Sequence, residues 1–341
     1  MMRPLAVLCA AALAACCEFS GPHWHGRKSD HFDGHRFHNQ MPGTAPDAMT
    51  IVSWRWHRHQ GAWPEFADAP PAPAPPQRVE GLRVTLVNHA TVLIQIAGFN
   101  VLTDPIWGEI AGPLRYLGRR RHRPPGLRLE DLPPIDVILL SHDHYDHLDV
   151  ETLGRIVRKH HPRIVAGLGM AALLAENDIH GVTDLDWWQW IAPARDLKIY
   201  GVPARHNCRR GPCDDNARLW LGFVVRTHQG DVYFAGDTGY GPHLQQIADR
   251  FGPPLVALLP IAPGSPRELF AAVHMDAREA VLAARVIQAR TDIPIHFGTF
   301  AQGDEGDGDA EARLRAAMGD APFVILHNGE SFTSSPAAGG S

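Results

Sequence analysis

The chain has 341 residues, 45% of them hydrophobic and 20% charged, enough for one large domain or two ordinary ones with a sizeable core. That excludes disorder and fibrous repeats, and a formal charge of -5 leaves no polybasic surface to argue for nucleic acid as a partner. Histidine is the outlier: 21 imidazoles, the commonest metal-binding side chain, direct attention to ligand spacing.

Residues 1–16 carry Arg3, an apolar run from Leu5 to Ala15 and the ending Leu13-Ala14-Ala15-Cys16. The run is too short to span a bilayer but has the length of a secretory signal core. Its ending resembles a bacterial lipobox, which predicts an acylated Cys16 and a protein held at the membrane surface on the periplasmic side of the cell envelope. The alternatives are an ordinary cleaved signal, or an uncleaved apolar N-terminus and a cytoplasmic protein. In an oxidising compartment, Cys208 and Cys213 are candidates to close a small disulfide loop.

Residues 17–80 show no sustained period and end in Pro70, Pro71, Pro73, Pro75 and Pro76, which favour extended geometry. They read as an extended His- and Pro-rich arm, solvated or packed, whose seven histidines between His23 and His59 lack fixed spacing. The main domain is expected over 81–331, followed by a disordered tail at 332–341. Its strands are predicted at 83–87, 91–96, 99–103 and 136–140. A helix follows near 149–160, a strand near 163–166, a helix near 169–177, and strands near 197–202, 218–226 and 231–235. Then come a helix near 241–251, a strand near 255–260, a helix near 276–289, a strand near 293–296, a helix near 308–318 and a last strand near 323–327. Hairpins and crossovers both occur, so mixed sheets covered by helices are expected, an α/β fold.

The decisive segment follows the strand at 136–140. Ser141-His142-Asp143-His144-Tyr145-Asp146-His147 is HxHxDH. On a strand-to-helix loop His142 and His144 can point to one side while Asp146 and His147 turn towards a second position, so one loop can serve two adjacent cations. Imidazoles and a carboxylate without thiolates suit zinc, with iron or manganese as alternatives. Further ligands are expected at later strand ends. His206, Asp237 and His296 stand there, each the first ligating residue past an apolar run.

HxHxDH followed by single His, Asp and His resembles the metallo-β-lactamase superfamily. Within it, the chain is similar to bacterial relatives of N-acylphosphatidylethanolamine-hydrolysing phospholipase D. The likeness runs from about Ser29 to Ser331. Its marks are SDHFDG at 29–34, NHATVLIQ at 88–95, LTDPIWG at 102–108, LPPIDVILLSHDHYDHLD at 132–149 and LDWW at 185–188. They continue with DDNARLW at 214–220, FAGDTGY at 234–240, HMDAREAV at 274–281 and HFGTF at 296–300. The resemblance implies a four-layer αββα sandwich with two Zn2+ at the mouth between the sheets. It places His142, His144 and His206 on one ion, Asp146, His147 and His296 on the other, and Asp237 between them. After His206 the chain reads Asn207-Cys208 where the relatives are expected to carry an aromatic residue, a departure that bears on substrate contacts.

With neither a GxSxG elbow nor a catalytic-cysteine signature, attack by water activated between the cations is the economical mechanism. Asp146 or Asp237 can hold the nucleophile's proton. His274, on a loop before a helix, is a candidate acid for the leaving oxygen or a substrate-positioning group. Asp104, Asp215 and Asn216 are candidates to support the ligands. Trp187, Trp188 and Trp190 are candidates for an acyl groove or for core, and Arg115, Arg119, Arg120, Arg121, Arg123 and Arg128 for a headgroup-attracting or simply solvated loop. The resulting expectation is a phosphodiesterase releasing phosphatidic acid from N-acylethanolamine phospholipids. The alternatives are a hydrolase of the same fold acting on a lactone, an amide or another small ester, and a lipid-anchored zinc protein without catalysis.

Overall fold

The computed structural model describes residues 20–43, 48–114 and 116–334. The expected signal, Cys16 and the tail from 335 lie outside the described residues. The N-terminal arm carries one helix, α1 (Ala48–His57), where no period was legible. The first half of the domain runs β1 (Leu82–Asn88), β2 (Thr91–Ile96), β3 (Phe99–Thr103), a hairpin of β4 (Ile110–Leu114) and β5 (Leu117–Arg120), β6 (Val137–Leu140), α2 (Val150–His160), β7 (Arg163–Gly167), α3 (Met170–Ala175) and β8 (Val182–Leu185). The second half runs β9 (Trp190–Ala194), β10 (Leu197–Val202), β11 (Gly222–Thr227), β12 (Gly230–Phe234), α4 (His243–Phe251), β13 (Val256–Pro260), α5 (Arg267–Phe270), α6 (Ala277–Ile287), β14 (Thr291–Ile295), α7 (Asp309–Met318) and β15 (Ser331–Ser334).

Two mixed sheets result, ordered β15-β1-β2-β3-β6-β7-β8 and β14-β13-β12-β11-β10-β9. Side-chain alternation sorts their residues into layers. In β6, Val137 and Leu139 join the core between the sheets, together with Phe223, Val225 and Ile293 from the second sheet. Ile138 and Leu140 face the other way, onto Leu153 and Ile156 of α2 and Met170 and Leu174 of α3. The outer face of the second sheet, with Val224, Tyr233 and Ala257, is covered by α4, α6 and α7. This is the αββα order that the resemblance implied. Each fully buried Leu, Ile or Val contributes about 1.5–3 kcal/mol, so the central layer supplies much of the stability.

Strand direction decides where polar residues collect. β1, β3 and β6 run parallel to one another in the first sheet, and β10, β12 and β14 in the second. The segments that follow them bring His89, Asp104, His142, His206, Asp237 and His296 to one end of the sandwich.

Some expectations are corrected. The run at 323–327 is not a strand: Phe323 bridges Asp292 beside the second sheet, Leu326 packs between the sheets, and the chain then adds β15 to the edge of β1. The apolar run is a crossover whose side chains belong to different layers, and β15 takes in 332–334 of the expected tail. The strand expected at 218–226 begins at Gly222, and β4, β5, β8, β9 and α5 were not foreseen. Cys208 is a free buried thiol, so it does not bridge to Cys213, which is disulfide-bonded elsewhere.

The arm is packed, not solvated. Phe32 and Phe37 are buried against each other with ring centroids 4.6 Å apart, and His31 stacks on Trp187 at 4.3 Å. Trp187 is core, donating to the Trp220 carbonyl at 3.0 Å, whereas Trp190 is exposed. The basic run is in part structural: Arg121 donates to the Gly108 and Ile106 carbonyls, and Arg123 pairs with Asp307 at 2.7 Å. No helix among the described residues is long and apolar enough to cross a membrane.

Candidate metal centre

HxHxDH occupies the connection from β6 to α2. Asp149 ends it as the N-cap of α2, accepting from Thr152 N at 3.1 Å. Between His142 and His144, Asp143 turns away from the cluster into a buried ionic group with Arg218, Nε to Oδ2 2.6 Å, and Arg218 also binds Asp214. Burial opposes charge on Asp143, but Arg218 outweighs it and holds the carboxyl below its ordinary value. The loop is thereby fixed, with alternate side chains on opposite sides.

His142, His144 and His206 bring three ring nitrogens together. His142 Nε2 is 2.9 Å and His206 Nε2 3.2 Å from His144 Nδ1. Beside them, Asp146, His147 and His296 form a second group, with His296 Nε2 3.1 Å from His147 Nε2. Asp237 Oδ2 stands between the two groups, 3.0 Å from His296 Nε2, 3.2 Å from His147 Nε2, 3.7 Å from His206 Nε2 and 3.9 Å from His142 Nε2. All seven residues expected from the sequence are therefore brought together. His274 joins them, its Nδ1 3.7 Å from Asp237 Oδ2 and its ring 4.9 Å from that of His206.

The outer ring nitrogens are tied down. His206 Nδ1 donates to the Val273 carbonyl and His296 Nδ1 to the Ala262 carbonyl, each at 2.8 Å. His147 Nδ1 donates to Asp104 Oδ2 at 2.7 Å. His142 Nδ1 reaches the same carboxylate through Ser141, whose hydroxyl lies 2.9 Å from the ring and 2.5 Å from Asp104 Oδ2. Each of these four imidazoles thus has its outer nitrogen bonded and turns Nε2 inwards, the arrangement found around metal-binding histidines. The support expected of Asp104 is present. Asp215 instead pairs with Arg36 at the surface, 3.4 Å away, and Asn216 serves the Cys208 backbone.

These donors fit metal ions. Around a four-coordinate zinc with bonds of about 2.0–2.1 Å, ligand atoms stand roughly 3.3 Å apart, close to the separations here. Inward nitrogens brought this close repel unless a proton or a metal ion lies among them, and Asp237 Oδ1 is buried without a hydrogen-bond partner. Burial opposes charge on Asp146 and Asp237, but facing imidazoles hold both carboxyls well below their usual range. Burial also opposes charge on His296, where Asp237 and Asp146 prevail and hold it up at about 9. His206 is pushed by burial down to about 3. The cluster pairs ionised carboxylates with imidazoles kept neutral by burial at His142, His144 and His206, and draws positive charge to the His147/His296 end, where facing carboxylates raise both imidazoles.

Two contributors were not anticipated. Asn39, on the arm, accepts from His206 N at 3.0 Å and donates to His206 O at 2.8 Å, clamping that backbone. His89, in the turn from β1 to β2, places Nε2 3.1 Å from Asp146 Oδ2 and completes a group of four possible ligands with Asp146, His147 and His296. The sequence signals it only as the second residue of the NHATVLIQ mark at 88–95, which by itself assigns it no role.

A fold with two helix-covered sheets and a His/Asp cluster at their open end defines a class. Residues 99–297 match the family described as the β-lactamase superfamily domain, and the chain belongs to the metallo-β-lactamase superfamily. It is 36% identical over 234 residues to N-acyl-phosphatidylethanolamine-hydrolyzing phospholipase D 1 of Caenorhabditis elegans, a match covering 65% of each protein. The chain thus spans just under two thirds of that relative's length. A metal-dependent hydrolase of Caldivirga maquilingensis is 29% identical over 63% of this chain and 82% of its own length. Igni18, a metallo hydrolase of Ignicoccus hospitalis, has a similar fold, with a TM-score of 0.57 at 22% identity, covering 74% of this chain and 98% of its own.

Proposed function

We propose that the protein is a metal-dependent hydrolase that uses two zinc ions to cleave the phosphodiester of N-acylphosphatidylethanolamine-like phospholipids, releasing phosphatidic acid and an alcohol. The observation that carries the metal-dependent reading is the convergence of inward imidazole nitrogens on ionised Asp237, with the outer nitrogens of four rings already bonded. His142, His144 and His206 would hold one ion, Asp146, His147 and His296 the other, with Asp237 between. When bound, such ions lower the pKa of water towards neutrality and neutralise charge growing on a phosphoryl oxygen.

The chain's own groups have separable tasks. Asp104 fixes the His147 proton outside directly and that of His142 through Ser141. Asp237 Oδ1, buried and unpartnered, accepts the proton of the attacking water as its oxygen bonds to phosphorus. His274, kept neutral by burial, offers a ring nitrogen with no partner in the structure as the group that meets the leaving oxygen. A small cavity beside the cluster is lined by Trp63, His296, Phe297, Phe300 and Gln302.

Similarity to the nematode phospholipase favours a phosphodiester over a lactone or amide. The test is a panel assay of purified protein of measured metal content against N-acylphosphatidylethanolamine, bis-p-nitrophenyl phosphate, homoserine lactone and a β-lactam. Phosphodiester turnover is expected. Lactone turnover with inert phosphodiesters would sink the substrate assignment, and inertness of the metal-loaded protein towards the whole panel would favour a zinc protein without catalysis. We place the protein at the periplasmic membrane surface through an acylated Cys16, and Cys16→Ser is expected to move it from the detergent phase to the aqueous phase.

A further inference from the structure

His89 is attached to both halves of the sandwich at once. It sits in the β1–β2 turn with φ 47°, a left-handed conformation that among non-glycine residues favours asparagine, aspartate and histidine. Its backbone nitrogen donates to Thr299 Oγ1 at 3.1 Å, and its carbonyl accepts from His296 N at 2.8 Å, both in the segment after β14. The ring is 1% exposed, tilted at 40° against the His296 ring with centroids 3.9 Å apart, and met edge-on by Phe300 at 5.1 Å.

The atom it presents is a donor. Asp146 is ionised and only accepts, so the 3.1 Å contact places the His89 proton on Nε2. Gln302, from the loop after β14, donates its side-chain amide to the same oxygen, Asp146 Oδ2. Two N–H groups, one from each sheet, therefore meet on one carboxylate oxygen, which lies 3.7 Å from His147 Nε2 and 3.6 Å from His296 Nε2.

We propose that His89 and Gln302 are the positioning pair for Asp146, fixing its carboxylate at the His147/His296 end of the cluster and so setting the metal affinity of that end alone. This rests on the metal-centre reading above. A ligating carboxylate is itself held by hydrogen bonds, and losing such a partner typically weakens metal affinity about 10–100-fold. His89 is not an extra ligand: its Nε2 proton is engaged by Asp146, and Nδ1 is buried and points to no donor or acceptor.

The experiment uses the zinc-loaded full chain with His89→Asn, Gln302→Leu and the double variant. Asparagine tolerates the left-handed turn and keeps both backbone bonds but cannot reach Asp146. Chelator competition is expected to show one of two zinc equivalents bound about 10–100-fold more weakly in His89→Asn, with the other unchanged. In the cobalt-substituted protein one of two sets of visible bands should shift, and His89→Gln, which restores an amide donor, should recover part of the affinity. Gln302→Leu, outside any strained turn, should change the same equivalent and provides the readout if His89→Asn fails to fold. Wild-type affinity and cobalt spectra in the folded variants overturn the inference while leaving the metal centre standing; a wild-type chain that binds no metal overturns both.

Discussion

At the scale of single residues, the seven ligand candidates differ from the other polar groups in how they meet. Ring nitrogens face each other at about 3 Å only where something else will hold them, and His142, His144 and His206 do so on one side of Asp237. His142→Ala combined with His206→Ala is therefore expected to remove one metal equivalent, measured by elemental analysis after desalting; full metal content and activity in that variant would refute the assignment. Arg218 makes a different prediction. It is fully buried between Asp143 and Asp214, so Arg218→Met leaves two carboxylates inside the protein without the cation that pairs with both. The loss is expected to be about 3–5 kcal/mol in the denaturant unfolding free energy, with weaker metal retention because Asp143 sits between two ligands. HxHxDH was readable because all its members lie on one loop. His89 and Asn39 were not, because their partners are 57 and 167 residues away and nothing local marks the pairing.

Among the elements, long apolar strands and amphipathic helices were legible and short edge pieces were not. β6 and β13 are continuous apolar runs, as strands buried on both faces must be. β8 and β9 owe their structure to the neighbour they pair with, and the apolar run from Phe323 to Leu326 misleads because its residues serve different layers. β14 also contains an anomaly. Asp292 is fully buried, neither of its side-chain oxygens has a partner, and burial raises its pKa to about 7. The folded state then binds a proton that the unfolded chain releases near pH 4, so stability is expected to fall as pH rises from about 4 to about 7. The pKa difference corresponds to a contribution on the order of 4 kcal/mol. Asp292→Asn should flatten this part of the melting-temperature profile and raise stability at pH 8; an unaltered slope would show that Asp292 is not its source.

For the whole molecule, the cluster is a junction between sheets. His142, His144, Asp146 and His147 follow a strand of the first, while His206, Asp237 and His296 follow strands of the second. Ions bound only by the folded state stabilise it by mass action, about 2.7 kcal/mol for each site at a free concentration one hundred times its Kd. Chelation is expected to lower the melting temperature in proportion, and added zinc to restore it; a melting temperature indifferent to both would argue against metal bridging of the sheets. By itself the sequence determined the periodicity of the long strands and helices, the HxHxDH loop and the polar residues ending β10, β12 and β14, because each depends on neighbours along the chain. Tertiary structure alone decided that the N-terminal arm packs against the domain, that Cys208 stays a free thiol, that Asn39 and His89 support the ligands, and that of Asp104, Asp215 and Asn216 it is Asp104 that does so. Those outcomes depend on which segments meet once two sheets stack, and a hydrogen bond across that junction leaves no local pattern in the chain.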